Sequence, residues 1–361
     1  MEPRLADHIF MYRLTPVKLD KLLATGYFRN ANIMFQSQVL CLEGNLCNVL
    51  NVRLPLKGYS MPKRMAKIWR RGTEKFRIEI KRAEITPEKS ELYHKHRKRF
   101  KGFQFRDLEQ LLYGDSPVRV FDTFEVNVYD NERLVAYSFF DAGQKSLASI
   151  LGVFDEAYAS YSLGIFTMLA EINWALLNDY KFYYPGYVLD QTSQFDYKLK
   201  LGKFSYYLWD DNAWGSKDEL EGKPKVGQVL LTELNKIIQI LDHQHIKYEL
   251  KLYPFFSLGY LSLANYQFYV KSPIHIFLPE FSTKGKFVLM EFNTEDKRFV
   301  YGVARINEQY RQYLKEHHVI LRQRCPNEWG MVLEYNILHK YTCAESLMYD
   351  FMLTHKNEND Y

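Results

Sequence analysis

Four residues in the middle of the chain have side chains suited to assisting an acyl transfer. They are Tyr187, Tyr197, Lys198 and Glu171. If one substrate brings an already activated acyl group, an enzyme needs only a deprotonated amine, a correct approach and hydrogen-bond donors for the developing oxyanion. The local sequence alone favours a simpler explanation, in which the two tyrosines are packing residues and the lysine is exposed.

A predicted helix begins shortly before these residues. Residues 164–177 carry apolar side chains at three- and four-residue spacing, which predicts an amphipathic helix. Ser162 is placed to cap this helix with its hydroxyl, and Gly164 would let another group approach closely. The free backbone N–H groups around Ser162, Leu163 and Gly164 could receive a phosphate or an oxyanion.

The helix is followed by a predicted strand, and together they would position the four residues. Residues 181–189 are dense in Tyr, Phe and Val without a helical period, which predicts a buried strand. Gly186 and Tyr187 would then lie on the strand or near its end. Tyr197 and Lys198 would follow on a loop or a second helix.

Further strands are predicted on the N-terminal side of the helix. Two runs of β-type residues are separated by a turn at Asp130 and Asn131, and a third apolar run spans residues 147–154. Three antiparallel strands, a helix and another strand make an α+β layer of the acyltransferase kind. We therefore predict an α+β fold.

The basic residues are concentrated in one part of the chain. The formal net charge is +5, but residues 57–106 contain 17 Lys and Arg against 5 Glu, so the rest of the chain is net acidic. Within this segment, cations at three- and four-residue spacing would lie on one face of a helix and could hold several phosphates. A solvated surface explains such a run equally well. The face comprises Lys63, Lys67, Arg70 and Arg71.

Length and composition restrict the class of protein. A chain of 361 residues suits two domains, or three small ones. No apolar run reaches the roughly 18 residues of a membrane span, and residues 1–14 carry charges where a signal peptide needs an apolar region. We therefore predict a cytoplasmic protein with no membrane contact. Helices are also expected at 226–243, 307–324 and 335–355.

The sequence lacks the motifs that accompany common nucleophiles, phosphate loops and metals. There is no GxSxG, HExxH, CxxC, Walker loop or GxGxxG. Cys41 and Cys47 are spaced as CxxxxxC, which favours two small buried residues. His243 and His245 end a predicted helix, where histidine suits the negative end of the helix dipole without binding a metal. We predict no metal site.

An ordered set of motifs resembles one known family. SLGIFTMLAEINWA, YYPGYVL and FDYKLKLGK resemble the C-terminal segment of the arginyl-tRNA-protein transferase family, including its bacterial leucyl-transferring branch. LLATGYFRN, VRLPL and PKRMAKIWRRG resemble motifs of the N-terminal half of that family. The resemblance covers approximately residues 15–205. No single motif is specific for the family, but the ordered set of motifs is.

The resemblance implies an activity and partners. Members of this family transfer an amino acid from charged tRNA to the α-amino group of a protein N-terminus, and the acceptor proteins begin with Asp or Glu. For this chain, the resemblance implies transfer of arginine or leucine. The C-terminal half of the family has an acetyltransferase-like fold. Aminoacyl-tRNA is then a co-substrate, and no cofactor is expected, since an iron-sulfur or zinc centre at Cys41 and Cys47 would need more cysteines.

The resemblance also implies site residues and a domain division. Arg29, Arg53 or Lys198 could pair with the carboxylate of the acceptor. The division is an N-terminal domain at 1–106, an acetyltransferase-like domain at 107–214 and a region of unknown role at 215–361. The expected tRNA contacts are Lys63, Arg64, Lys67, Arg70 and Arg71.

Two other functions stay open on the sequence. A coenzyme A-dependent acetyltransferase would normally carry a glycine-rich phosphate loop before the central helix, and YSLG offers only Gly164. The second alternative is a non-catalytic tRNA-binding or adaptor protein in which the family domain has decayed. Labelled acetyl-CoA and aminoacyl-tRNA distinguish the first alternative, and tight tRNA binding without transfer indicates the second.

Overall fold

The computed structural model describes residues 4–99, 105–114, 118–260, 269–309, 312 and 325–356. The chain forms two compact units. The smaller unit combines Met1–His8, Ser37–Val49 and Pro224–Tyr361, and the larger unit combines Ile9–Gln36 and Leu50–Lys223. The predicted division at 106/107 and 214/215 stays a prediction, although strands on both sides of the first boundary pair with one another in the larger unit, as described below.

The helices alternate with strands through both units. The α-helices are α1 Pro16–Ala24, α2 Lys63–Lys75, α3 Pro87–His96, α4 Leu108–Tyr113, α5 Leu163–Leu177, α6 Lys217–Glu221, α7 Val226–His243 and α8 Ala344–Lys356. Thr15 and Thr86 cap α1 and α3, each accepting a hydrogen bond from a backbone N–H of the first turn, which is the role expected of threonine at that position.

The strands fall into a large mixed sheet and two smaller ones. They are β1 Ala6–Phe10, β2 Phe28–Asn30, β3 Ile33–Ser37, β4 Val39–Leu42, β5 Asn45–Pro55, β6 Arg77–Arg82, β7 Thr123–Asp130, β8 Arg133–Ala142, β9 Ser146–Phe154, β10 Phe182–Tyr184, β11 Tyr187–Leu189, β12 Ser205–Leu208, β13 Ala213–Gly215, β14 Glu249–Leu252, β15 Ile274–Phe277, β16 Lys286–Asn293, β17 Arg298–Ile306 and β18 Leu333–Tyr341.

The large sheet carries the region of interest. Its order is β13-β12-β5-β10-β9-β8-β7-β6. Strands β6 to β9 are antiparallel, and β10 runs parallel to β9 because α5 crosses over between them. The predicted turn between β7 and β8 is present, with Asn131 at a φ of 54°. The predicted α+β class, with antiparallel strands, a helix and a further strand in that order, is confirmed.

Three local expectations differ from the structure. The helix α5 is largely buried and mostly apolar rather than amphipathic, because α2 packs on it as well as the sheet. The predicted strand 181–189 is broken into β10 and β11 by Pro185 and Gly186, whose φ of 88° no strand tolerates. Ser162 does not cap α5 with its side chain, because it takes a left-handed conformation with a φ of 57°.

The helix α2 packs closely on α5. A Cβ atom at Gly72 would lie 2.2 Å from the ring of Phe166, which is far inside van der Waals contact, so only glycine permits this approach. Trp69 adds a ring contact to Phe166 at 5.4 Å between centroids. The two helices therefore form one packed layer on one face of the sheet.

The smaller unit has its own sheet and core. Its sheet has the order β14-β15-β16-β17-β18, and α7 and α8 pack on it. The helix predicted at 226–243 is present. Residues 335–355 were predicted as one helix, but the segment first completes β18 and only then forms α8. The helix predicted at 307–324 lies almost entirely outside the described residues. In the part of the chain that the structure describes, no helix is long and apolar enough to cross a membrane.

Candidate functional site

The large sheet opens where β9 and β10 separate. Their pairing ends at Ala148 and Tyr184, whereas β9 continues to Phe154. The register of β8 against β9 shifts at the same place, since Phe139 pairs with Leu151 and Phe140 with Ser149. Ile150 is therefore the extra residue of a β-bulge, a feature that redirects backbone groups next to binding sites.

A buried polar cluster lies beneath this opening. The hydroxyl of Tyr183 donates to Oε2 of Glu171 at 2.7 Å, and Glu171 has no exposed surface. Burial raises the pKa of Glu171 to about 7, while the hydroxyls of Ser138, Tyr183 and Ser149 act in the opposite direction. Because Glu171 is enclosed, it would act on a substrate only through a neighbour such as Tyr183.

Tyr197 lies between this cluster and the solvent. Its side chain is 37% exposed. Burial of its hydroxyl raises the pKa of Tyr197, and the nearby Glu171 carboxylate raises it further. Tyr197 in turn raises the pKa of Tyr183. The electrostatic coupling among these three residues puts the two predicted residues Glu171 and Tyr197 in one cluster.

Lys198 meets the turn between β10 and β11. Its Nζ donates to the backbone carbonyl of Tyr187 at 3.0 Å, and a Cβ atom at Gly186 would lie 3.2 Å from that nitrogen. The rings of Tyr187 and Phe195 lie 5.6 and 5.0 Å from Nζ. This enclosure lowers the pKa of Lys198 to about 8, because burial disfavours the charged form. Three predicted residues, Gly186, Tyr187 and Lys198, are thus brought together.

Half-buried aromatic rings extend from Lys198 along the surface. Ring centroids are 5.3 Å apart for Tyr187 and Phe195, 5.1 Å for Phe28 and Tyr187, and 3.9 Å for Phe28 and Phe35. We call Phe28, Phe35, Tyr187 and Phe195 the aromatic row. Each of the four residues keeps part of its surface open to solvent, so the row offers an apolar wall next to the amine of Lys198.

The start of α5 follows β9 through the 3₁₀ turn Glu156–Tyr161. The carbonyl of Ser162 accepts hydrogen bonds from the backbone N–H groups of Ile165 and Phe166 at 2.9 and 3.0 Å. Leu163 is buried, whereas Gly164 is half-buried, with the ring of Phe154 3.5 Å from where its Cβ would be. The predicted binding role of these three residues therefore depends on the backbone and not on the serine hydroxyl.

Arg29 is engaged by internal partners. Its guanidinium donates to Asp141 at 2.7 Å, to Thr123 at 3.0 Å and to the carbonyls of Ala31 and Leu112. The side chains of Arg29 and Asp141 are 2% and 0% exposed. This geometry leaves no free edge for an acceptor carboxylate and gives Arg29 a structural role.

Arg53 lies away from the Glu171 cluster. It precedes Leu54, which pairs with Tyr183, so Arg53 points to the sheet face opposite Tyr183 and α5. Its guanidinium stacks between the rings of Phe182 and Trp214, at 4.1 and 4.5 Å from their centroids. Its buried Nε has no hydrogen-bond partner among the described residues, so Arg53 keeps donor capacity but not a place beside Lys198.

The predicted tRNA-binding cations lie on the outer face of α2. The side chain of Arg71 is anchored by a hydrogen bond to the Ser160 carbonyl and stacks on the ring of Tyr161 at 4.6 Å. Arg70 makes an exposed ion pair with Glu74 at 4.0 Å, which contributes little energy. All five predicted cations are exposed: Lys63, Arg64, Lys67, Arg70 and Arg71.

The side chains of Cys41 and Cys47 do not point toward a common site. Cys41 pairs with Leu46 across the β4-β5 hairpin and Cys47 with Leu40, so the two thiols point to opposite faces. Burial raises the pKa of the Cys41 thiol well above its ordinary value, which keeps it protonated. Within the described ranges, no group of three or more His, Cys, Asp or Glu is arranged to hold a metal ion.

Sequence reasoning missed Tyr183, Ser138, Ser149 and the bulge at Ile150. Tyr183 and Tyr184 are adjacent in a strand and must face opposite sides, so one of them was bound to face α5 and Glu171. The two serines and the bulge carry no sequence signal, because their role depends on the register between β8 and β9.

About half of the chain is similar in sequence to known proteins. An aspartate/glutamate leucyltransferase of Shewanella sp. (strain MR-4) is 29% identical over 192 residues, covering 51% of this chain and 76% of that protein. The aspartate/glutamate leucyltransferase of Leptospira interrogans is 25% identical over 204 residues, covering 55% and 77%.

Two solved structures and one family model also match. FemX gives a TM-score of 0.33 at 10% identity, covering 51% of this chain and 64% of that chain. A tandem GNAT protein from the clavulanic acid biosynthesis pathway gives 0.31 at 11% identity, covering 56% and 61%. The family model described as "Arginine-tRNA-protein transferase, C terminus" matches residues 86–207, which include β7 to β11 and α5. Through this segment the chain is similar to the aminoacyl-tRNA-protein transferase family.

Proposed function

We propose that this cytoplasmic protein transfers leucine from charged tRNA to the N-terminal α-amino group of proteins that begin with Asp or Glu. The observation that carries the proposal is the packing of the cationic helix α2 directly on α5, the helix that backs the opening between β9 and β10. A polyanion held by α2 would thus be fixed against the helix that carries Glu171. The relatedness to leucyltransferases supports the same conclusion.

The reaction needs proton transfer but no redox chemistry. The amine nitrogen of the acceptor attacks the ester carbonyl of the aminoacyl-tRNA, a C–N bond forms, and the C–O bond to the terminal ribose breaks. One proton leaves the acceptor ammonium before attack, and a second passes to the ribose oxygen. With a pKa of about 8, Lys198 is partly neutral near physiological pH and is our proposed acceptor of the first proton. Tyr197 is our proposed donor to the developing charge.

The aromatic row supports leucine over arginine as the transferred residue. Its four rings offer apolar contact to an aliphatic side chain, whereas the adjacent amine of Lys198 would repel a guanidinium when protonated. The carboxylate of Glu171 is enclosed and accepts a hydrogen bond from Tyr183, and that of Asp196, next to Phe195 in sequence, accepts hydrogen bonds from the backbone N–H and the hydroxyl of Ser193. An arginyl group would therefore find a positive neighbour beside the row, while these two carboxylates are already engaged by other donors.

Fewer contacts bear on the recognition of the acceptor peptide than on the choice of the transferred amino acid. Of the three cations considered for the acceptor carboxylate, Arg53 and Lys198 remain proposals, since the guanidinium of Arg29 is already saturated. Peptides that begin with Asp, Glu, Asn and Gln test this point, because an amide lacks the charge that a cation recognises.

The function is tested by incubating the protein with a mixture of charged tRNAs and peptides that differ at the N-terminus, with products read by mass. We expect an added leucine on peptides that begin with Asp or Glu. Acetylated peptide from acetyl-CoA would instead identify an acetyltransferase. Tight binding of tRNA without any product would identify the adaptor alternative, and either result refutes the proposal.

The site is tested by three variants. Tyr197→Phe and Lys198→Ala should each lower the rate of transfer far more than the affinity for tRNA, because neither residue belongs to the cationic face of α2. Lys200→Ala is the matched control, since Lys200 is an exposed lysine on the same 3₁₀ turn, Asp196–Leu201. Unchanged transfer in the first two variants would remove both residues from the site.

A further inference from the structure

We propose that Lys98 and Arg99, together with Arg71, form a second phosphate-binding surface that receives the backbone of the tRNA acceptor end. This inference rests on the proposed function and adds to it a place where the single-stranded end would cross the protein. Lys98 and Arg99 belong to a 3₁₀ turn, Arg97–Arg99, that follows α3.

Arg99 is held at the end of β9. Its guanidinium lies over the ring of Phe154, the last residue of β9, at 4.4 Å from the centroid, and it also contacts Nδ1 of His96. The same Phe154 ring lies 3.5 Å from the Cβ position of Gly164 in the first turn of α5. Arg99 and the start of α5 therefore flank one aromatic ring.

Arg71 reaches the same connection from the α2 side. It is anchored on Ser160 and Tyr161, which lie between the end of β9 and the start of α5. The helices α2 and α3 pack on opposite faces of the sheet, since α2 covers α5 whereas α3 packs with Tyr137 and Val153. Cations from both faces thus converge on the segment that leads from β9 into α5.

The charges of Lys98 and Arg99 are unneutralised by the described residues. No carboxylate in the described ranges pairs with either side chain, whereas Lys95, one turn earlier, pairs with Glu91 at 2.6 Å. Asp155 in the same connection is neutralised by Arg133, which leaves the exposed Glu156 as the acidic neighbour in sequence. The net charge of the side chains around the end of β9 is therefore positive.

An RNA backbone fits this surface better than an acidic protein N-terminus. An acceptor terminus presents one or two carboxylates, but a single strand presents a phosphate at every nucleotide and can meet cations on both sides of the connection. β9 itself forms one side of the opening, since it continues to Phe154 beyond its pairing with β10. A strand that follows these cations would enter the proposed site, and the fixed position of Arg99 on Phe154 lowers the entropy lost on binding.

The test is the salt dependence of binding of uncharged tRNA to the full chain. Each phosphate contact contributes a slope of about 0.7–0.9 in log Kd against log salt, so Lys98→Ala with Arg99→Ala should lower the slope by about 1.4–1.8. Binding should weaken about 10- to 30-fold at roughly 0.15 M salt. Lys95→Ala is the matched control, because its charge is already paired with Glu91, and it should leave the slope unchanged.

Two further variants keep the result interpretable. Arg99→Lys retains the charge and should preserve most of the slope, and Lys98→Ala alone removes an exposed side chain without disturbing Phe154. An unchanged slope in the double variant would overturn the inference, even if leucine transfer proceeds. A raised KM for the acidic peptide with unaltered tRNA affinity would also overturn it, since the ligand would then be the acceptor. If no charged tRNA supports transfer, the proposed function is refuted. The salt slopes would still decide whether Lys98 and Arg99 bind tRNA.

Discussion

Replacing Glu171 by glutamine should change how the stability of the protein depends on pH. In the folded protein burial raises the pKa of Glu171 from 4.5 to about 7. One pKa unit corresponds to about 1.36 kcal/mol, so the shift amounts to about 3 kcal/mol. A glutamine at this position would still accept the hydrogen bond from Tyr183 but would not titrate.

The sign follows from comparing the folded and unfolded states. Below pH 4.5 the carboxyl of Glu171 is protonated in both states, so its ionisation does not lower the free energy of unfolding. As pH rises from 4.5 to about 7, the unfolded chain releases this proton while the folded protein retains it, so the free energy of unfolding falls. Above pH 7 both states are ionised and the full cost of about 3 kcal/mol persists.

The assay is urea-induced unfolding of the wild type and Glu171→Gln at intervals between pH 4 and pH 8. The stability of the variant relative to the wild type should rise by about 3 kcal/mol across this range. Glu156→Gln, which removes an exposed carboxylate at the start of the turn before α5, controls for the loss of one charge. A difference between wild type and Glu171→Gln that stays constant with pH would refute the assignment of a buried, destabilised carboxylate.

Three further substitutions test the packing around the site. Gly72→Ala should destabilise the protein by about 1–3 kcal/mol in thermal or urea unfolding, because the new methyl group would overlap the ring of Phe166. Arg29→Met should cost about 3–5 kcal/mol by leaving the buried Asp141 carboxylate unpaired, and the double variant that also carries Asp141→Leu should recover much of that loss. Gly186→Ala should slow leucine transfer while leaving tRNA affinity unchanged, since its φ of 88° disfavours alanine and its Cβ would press on the amine of Lys198; equal transfer would contradict the placement of that turn.

Much of the central architecture could be predicted from the sequence. The helix α5, the turn at Asn131 and the run that becomes β9 follow from apolar spacing and turn residues, which are local properties. The interruption of the following strand could also have been predicted, because Pro185 and Gly186 are the two residues that a strand interior least tolerates.

The site itself depended on long-range pairing that local patterns do not contain. Arg29 had the charge expected of a carboxylate receptor, yet Asp141, more than a hundred residues later, satisfies it. Glu171 was a candidate catalytic residue on the sequence, but its side chain meets Tyr183, Ser138 and Ser149 of the sheet and is a buried acid. Only the register of β8 against β9 shows that Ser138 and Ser149 face the same cluster.

The discontinuous path of the chain has a consequence for synthesis on the ribosome. Residues 37–49, which form β4 and the first part of β5, belong to the unit that is completed only by residues 224 onward. These segments are about 175 residues apart, which corresponds to roughly 10–35 s of translation at about 5–20 residues per second. During that interval an early hairpin whose residues Val39, Cys41 and Leu46 belong to this core lacks its core partners. A nascent chain that stops near residue 223 would thus present an apolar hairpin to chaperones.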